Sequence, residues 1–258
     1  MQASNSRPMT QMLNKVPEVT LYFWIIKIMA TTVGETAADF LSVTLKLGLS
    51  LTSLVMAVFL AFALAAQLRL RRYVPTVYWI AVVLISVVGT LISDNLVDNL
   101  GVSLTTSSIG FAIILAIVFA AWYRSERTLS IHTIVTTKRE LFYWSAILFT
   151  FAMGTSVGDL VAEKFALGYG EAVLIFGAAI ALTTIAYYYF HANAVLTFWI
   201  GYILTRPLGA SMGDLLSQPH KNGGLGLGTT GTSVLFLVVI ASLVTVLTMR
   251  ERNKPAPI

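Results

Sequence analysis

FWIIKIMATTVGETAADFL (residues 23–41), YWIAVVLISVVGTLISDNL (78–96), YWSAILFTFAMGTSVGDLV (143–161) and FWIGYILTRPLGASMGDLL (198–216) are one pattern written four times. Trp24, Trp79, Trp144 and Trp199 are each followed ten residues later by a glycine (Gly34, Gly89, Gly154, Gly209) and fifteen later by an aspartate (Asp39, Asp94, Asp159, Asp214). A second mark, Leu47-Gly48, Leu100-Gly101, Leu167-Gly168 and Leu225-Gly226, opens the apolar run that follows each stretch. The tryptophans lie 55, 65 and 55 residues apart, the spacing left when a hairpin duplicates and the pair duplicates again. Each unit is helix–turn–helix. Two helices return the chain to the side it started from, so the four units are parallel repeats about an axis along the membrane normal, with their first helices gathered around it.

The rest of the chain agrees with a membrane setting. Of its 258 residues, 57% are hydrophobic and 11% charged, against roughly a quarter charged in a soluble domain, and mean hydropathy is +0.80. Apolar runs cover residues 20–43, 49–68, 76–98, 103–123, 141–163, 171–190, 195–217 and 230–249, each close to the ~20 residues that cross a hydrocarbon core. The expected fold is an all-α membrane protein of eight transmembrane helices in one membrane domain, 20–249, built from units 20–72, 75–127, 140–191 and 195–249. Continuous runs exclude a transmembrane β-barrel. Residues 1–19, polar and holding Pro8 and Pro17, read as a cytosolic tail and not a signal peptide; residues 250–258 form a second cytosolic tail.

Sidedness follows from the bases. Arg7, Lys15, Arg69, Arg71, Arg72, Arg124, Arg127, Lys138, Arg139, Arg250, Arg252 and Lys254 fall at one end of the helices, leaving Lys46, Lys164 and Lys221 for the other. The basic end is the expected cytosolic one. Apart from Glu18, Glu126, Glu140 and Glu251, every carboxylate falls in the outer half: Glu35, Asp39, Asp94, Asp98, Asp159, Glu163, Glu171 and Asp214. Topology accounts for the bases, so nucleic acid is not an expected partner. With no cysteine, thiolate catalysis, disulfides and cysteine metal sites are excluded.

The tryptophans are expected at the cytosolic headgroup level, where aromatic belts fix depth. The pairs Gly34/Ala38, Gly89/Ser93, Gly154/Gly158 and Gly209/Gly213 form small-xxx-small faces for close helix packing. The aspartates lie roughly 22 Å along the helix from the tryptophans, at a depth where a carboxylate usually marks an ion path or a pair. On their helix faces the rows read Glu35-Asp39-Val43, Thr90-Asp94-Asp98, Thr155-Asp159-Glu163 and Ala210-Asp214-Gln218, and only Val43 and Ala210 lack a side-chain oxygen. Converging on an axis, these carboxylates repel one another until protons or a bound cation relieve them. Asp39, Asp94, Asp159 and Asp214 are the candidate metal and proton sites, assisted by Glu35, Asp98 and Glu163. The competing reading ends each helix with an aspartate in water, bonded to backbone and hydroxyls. An all-oxygen set suits Mg²⁺, Ca²⁺, Mn²⁺ or protons. His132, His191 and His220 fall in loops or at helix ends, and Met29, Met153 and Met212 are expected as packing. Lys27 and Arg206 lie within spans, where a cation generally needs a carboxylate, and are the candidate charge-balancing residues. Arg206, two turns before Asp214, is expected to pair with it as a gate. Pro207 is expected to kink its helix.

On the patterns at residues 34–39, 89–94, 154–159 and 209–214, the chain resembles a family of bacterial multi-spanning, membrane-anchored proteins of uncharacterised activity, over nearly all its length after residue 15. The resemblance implies the bacterial inner membrane. A fainter likeness links Thr155-Ser156-Val157-Gly158-Asp159 to the Gly-Asp motifs of small cation exchangers, but the glutamate expected before Gly-Asp is missing. The expected function is a cation transporter, exporting a divalent metal (Mn²⁺ or Mg²⁺) with proton coupling and no permanently bound cofactor, in contact with lipid and open to homo-oligomer formation. Two other classes stand beside it: a non-transporting scaffold or sensor, and an intramembrane aspartyl protease, whose Gly-x-Gly-Asp motif has Ser156 or Ser211 in place of its first glycine.

Overall fold

The computed structural model describes residues 14–252. Eight long helices follow one another: α1 (Leu21–Asp39), α2 (Leu49–Arg69), α3 (Pro75–Asp94), α4 (Leu104–Glu126), α5 (Thr137–Asp159), α6 (Tyr169–Phe190), α7 (Ala194–Ser217) and α8 (Gly228–Arg252). Their starts have local causes. The Thr20, Thr136 and Asn193 side chains accept backbone N–H groups in the first turns of α1, α5 and α7, as N-cap residues do, and Pro75 occupies the first turn of α3, where its missing N–H costs nothing. Helix α7 runs through Pro207 without a break. Tail residues Arg7 and Lys254 lie outside the described residues.

The odd-numbered helices form an inner ring, α1 against α3, α3 against α5, α5 against α7, and α7 back against α1. The even-numbered helices form an outer layer, and each is handed on: α2 packs on α3, α4 on α5, α6 on α7, and α8 closes the circle on α1. At the seam, the Arg250 guanidinium lies over the Tyr22 ring at 5.0 Å. No unit is self-contained, because the second helix of each covers the first helix of the next.

Units one to three make the same turn. After Asp39, Asp94 and Asp159 the chain widens into one turn of π-helix, Phe40–Thr44, Asn95–Asn99 and Leu160–Lys164, closed by Leu45, Leu100 and Phe165 N–H groups donating to the carbonyls five residues back. Lys46, Gly101 and Ala166, seven residues beyond the aspartate, then take left-handed φ values of 57°, 67° and 52°. This revises the register read from sequence: Gly101 is equivalent to Lys46 and Ala166, whereas Gly48 and Gly168 cap α2 and α6 where Ser103 caps α4. The fourth unit makes no π-turn. Its longer connection carries a short 3₁₀ turn, His220–Asn222.

Among the described residues, six helical segments are long and apolar enough to cross a membrane: Leu49–Arg69, Pro75–Asn99, Leu104–Glu126, Thr137–Lys164, Tyr169–Phe190 and Gly228–Glu251. Helices α1 and α7 are not among them, so the expected eight reduce to six by this measure. The cause is their interior position, which lets them bury Lys27, Thr31, Thr32, Glu35 and Thr36, and Thr205, Arg206, Ser211 and Asp214. The outer helices instead expose apolar side chains such as Leu54, Phe62, Leu174, Leu182 and Val238, a surface suited to lipid. The protein is a multi-pass helical membrane protein with internal repeats.

Candidate functional site

Four layers stack down the axis of the inner ring. The first is a cavity of about 210 Å³ at its acidic end, lined by Asp39, Asp94, Asp159 and Asp214, one from each unit, with Glu35, Asp98, Glu163 and Gln218. All seven acidic residues expected in the site reach this one space. Glu35 and Asp214 are buried, Asp39, Asp94 and Asp159 half-buried, and Asp98 and Glu163 sit exposed at the rim. Among the described residues, no hydrogen bond or ion pair engages the carboxylate of any of the four repeat aspartates. Nor do any three His, Cys, Asp or Glu side chains come close enough together to hold a metal ion directly. The carboxylates share a chamber without forming a closed cage. Met29 and Met153 pack in the core, and no methionine or histidine lines the chamber.

Arg206 forms the next layer. Its guanidinium, fully buried, donates to Glu35 Oε2 at 3.2 Å, to Thr155 Oγ1 at 2.7 Å, to Thr90 Oγ1, and to the Thr31 carbonyl at 3.3 Å. Glu35, Thr90 and Thr155 hold the same repeat position, four residues before the aspartate, in units one, two and three. The arginine of unit four thus grips the other three units at once. Its ion pair is with Glu35, not with Asp214 as its own helix suggested. Across the ring the neighbouring helices offer nearer oxygens than a side chain two turns along.

Lys27, also fully buried, has no carboxylate partner, contrary to expectation. Its ammonium donates to the Tyr202 carbonyl at 2.8 Å and to Thr205 Oγ1, and stands 4.0 Å from the centre of the Tyr202 ring and 5.1 Å from that of Phe151. Aromatic faces and a carbonyl supply the negative potential. Phe151 also faces Arg206 at 5.6 Å. As charge-balancing residues the two differ: Arg206 balances Glu35, whereas Lys27 balances no anion.

The last layer closes the axis. Phe23 meets Trp79, Tyr78 meets Trp144, Tyr143 meets Trp199, and Phe198 meets Trp24, with ring centroids between 5.5 and 6.3 Å apart. In every case an aromatic of one unit touches the tryptophan of the next, making a circle of eight rings. Trp79, Trp144 and Trp199 are buried, so they are not the headgroup belt expected of them. A belt and an inward-facing ring are both apolar and share the same period, and closure of the ring decides between them.

The repeated glycines lock these layers together, as their small faces suggested. A Cβ on Gly34 would collide with Ser86, on Gly89 with Phe151, on Gly154 with Arg206, and on Gly209 with Thr31. Each collision is with the residue eight before the aspartate in the next unit. Beyond the aromatic circle, Lys15 Nζ donates to Glu140 Oε2 at 2.6 Å, and Gln67 Nε2 to Glu140 Oε1 at 3.1 Å, a buried clamp fastening the segment before α1 to α2 and α5. The sequence places Lys15 and Glu140 at the basic end without marking them, or Gln67, as partners. Their signal was a polar Gln67 at the inner end of an otherwise apolar run.

The chain belongs to the family described as Repeat of Unknown Function (DUF347), which matches residues 22–73, 77–128, 142–193 and 197–253, one match to each two-helix unit. No curated protein and no solved structure matches it.

Proposed function

We propose that the protein carries cations across a bacterial inner membrane, with the four repeat aspartates as the exchanging ligands for a divalent ion and for protons. One observation carries the reading: four equivalent carboxylates without protein partners line one chamber, and a buried arginine stands beneath them. A carboxylate left unpartnered inside a bundle is costly unless it handles an ion. Because no ready-made cage is present, the chamber suits an ion that keeps part of its water. Mg²⁺ behaves this way, held through one or two carboxylates with several waters retained, and so ranks before Mn²⁺. Asp98 and Glu163 at the rim gather cations, and Arg206 stands in for the ion when the chamber is empty.

In this reading all eight helices span the membrane, α1 and α7 sheltered from lipid by the outer layer, with both chain ends in the cytosol at the basic end. Export follows from the acidic outer half. The test is flux of Mg²⁺ and Mn²⁺ in proteoliposomes under an imposed pH gradient. Single Asp39→Asn, Asp94→Asn, Asp159→Asn and Asp214→Asn changes should each slow flux at least tenfold, with Glu171→Gln, exposed and outside the chamber, as the control. Flux untouched by all four would sink the reading. The aromatic closure of the axis favours a second reading, a rigid scaffold, and absence of any flux alongside intact folding would select it.

A further inference from the structure

The aromatic circle bars a straight path down the axis, so a carrier of this form needs another mouth at the basic end. A cavity of about 640 Å³ lies beside the circle, between α1, α6 and α7, over the segment 129–132. Its walls include Trp24, Phe198 and Tyr187, with hydroxyls from Thr183, Thr184 and Thr205.

The repeat explains why it is open. On α4, Phe119 and Trp122, 25 and 28 residues after Asp94, pack on Trp199 with ring centroids at 4.9 and 5.8 Å, and Trp122 is fully buried. On α2 the residue 28 after Asp39 is Gln67, sealed by its bonds to Glu140 and the Lys15 carbonyl. On α6 the same offsets from Asp159 give Thr184 and Tyr187, and Tyr187 is 41% exposed. The packing that fills the junction of α4 with α7 is therefore missing where α6 meets α1.

The cavity's most buried polar wall is Thr205, 1% exposed, whose hydroxyl holds Lys27. From there polar contacts run on: Thr31 Oγ1 donates to the Thr205 carbonyl at 3.3 Å, Arg206 donates to the Thr31 carbonyl, and Arg206 pairs with Glu35, which lines the acidic chamber. Along this chain of contacts Lys27, Thr31, Thr205 and Arg206 lie between the two cavities and form the partition.

We infer that this lateral crevice is the second mouth of the translocation path, taking the same hydrated divalent cation as the acidic chamber. The inference rests on the transport reading. The crevice offers hydroxyl oxygens and no carboxylate, so it passes an ion weakly held, while the chamber holds it; rearrangement of the partition connects one to the other.

The experiment restores to α6 what α4 carries. Thr184→Phe with Tyr187→Trp fills the crevice with side chains that the equivalent junction already accommodates. Flux of Mg²⁺ in proteoliposomes should fall at least tenfold while Mg²⁺ binding to the detergent-solubilised protein is retained. Unchanged flux in a folded filled variant overturns the inference and leaves the transport reading intact, whereas absence of flux in the unaltered protein removes both. Should the filled variant not fold, the cysteine-free chain permits a second measurement. Thr183→Cys and Thr184→Cys, both lining the crevice, should react with a charged, membrane-impermeant thiol reagent applied from the basic end, and the reagent should stop flux. Leu174→Cys, facing lipid, should not react. Failure of both crevice thiols to react, or reaction without effect on flux, overturns the proposal.

Discussion

Removing Arg206 tests whether the inner ring is held by charge or by packing. Arg206→Met takes away donors to Glu35, Thr90, Thr155 and the Thr31 carbonyl and leaves Glu35, 5% exposed, with the Thr90 hydroxyl at 3.3 Å as its remaining partner. Breaking a buried pair from one side costs about 3–5 kcal/mol, because the surviving charge stays desolvated. Glu35→Gln is milder: the guanidinium keeps two hydroxyls and a carbonyl, so the loss is about 1.5–3 kcal/mol, that of one hydrogen bond to a charged group. The double variant strands no charge, and it should be more stable than the sum of the single losses predicts by about 2 kcal/mol. The surface Lys138–Glu126 pair, its lysine side chain 64% exposed and its glutamate also held by Arg139, gives the comparison and should show much weaker coupling, because solvent screens it. The assay is reversible unfolding in mixed micelles of rising SDS fraction, run as a double-mutant cycle. Additivity of the two single losses within about 0.5 kcal/mol would refute the charge-pair reasoning and leave the threonines as the arginine's real anchors.

Lys27→Met orphans no carboxylate, so it should cost less than Arg206→Met in the same titration; an equal or larger loss would contradict the partner assignment. Gly209→Ala drives a methyl into Thr31, with the Thr32 backbone nitrogen at 3.1 Å behind it, and should destabilise by about 1–3 kcal/mol, whereas Gly177→Ala meets nothing within 4 Å and should be neutral or stabilising by up to about 1 kcal/mol. Thermal unfolding in detergent separates the two. Lys15→Met leaves Glu140 fully buried without its base and should lower stability by about 3–5 kcal/mol, with Glu140→Gln added to it restoring part of the loss; no recovery would show that the clamp acts by shape alone.

The four units, their helices and the inner position of the odd helices are legible in the chain because each follows from local periodicity and repetition. So is the meeting of Asp39, Asp94, Asp159 and Asp214, which needs only that equivalent residues sit at equivalent depths. What is not legible depends on neighbours around the ring. Arg206 and Asp214 share a helix face, yet Glu35, Thr90 and Thr155 reach the guanidinium from three other helices. Lys27 needs no carboxylate because the Tyr202 carbonyl, the Thr205 hydroxyl and two rings surround it. Trp79 and Trp144 carry the same apolar signature whether they face lipid or the axis. The hand-over of α2, α4, α6 and α8 to the following unit leaves no trace in any one repeat, since both helices of a hairpin are apolar whichever neighbour they cover.

That hand-over sets a timetable for synthesis. Helix α1 emerges first, but Glu35 waits for Arg206, 171 residues further on, and Lys27 waits for Tyr202 and Thr205. At ribosomal rates of about 5–20 residues per second the delay is about 10–30 s, and only after α8 closes on α1 is the first hairpin covered. A chain that stops before α7 therefore lacks the partners that answer Glu35 and Lys27 on its first helix. The earliest helix made is thus completed only by the last two.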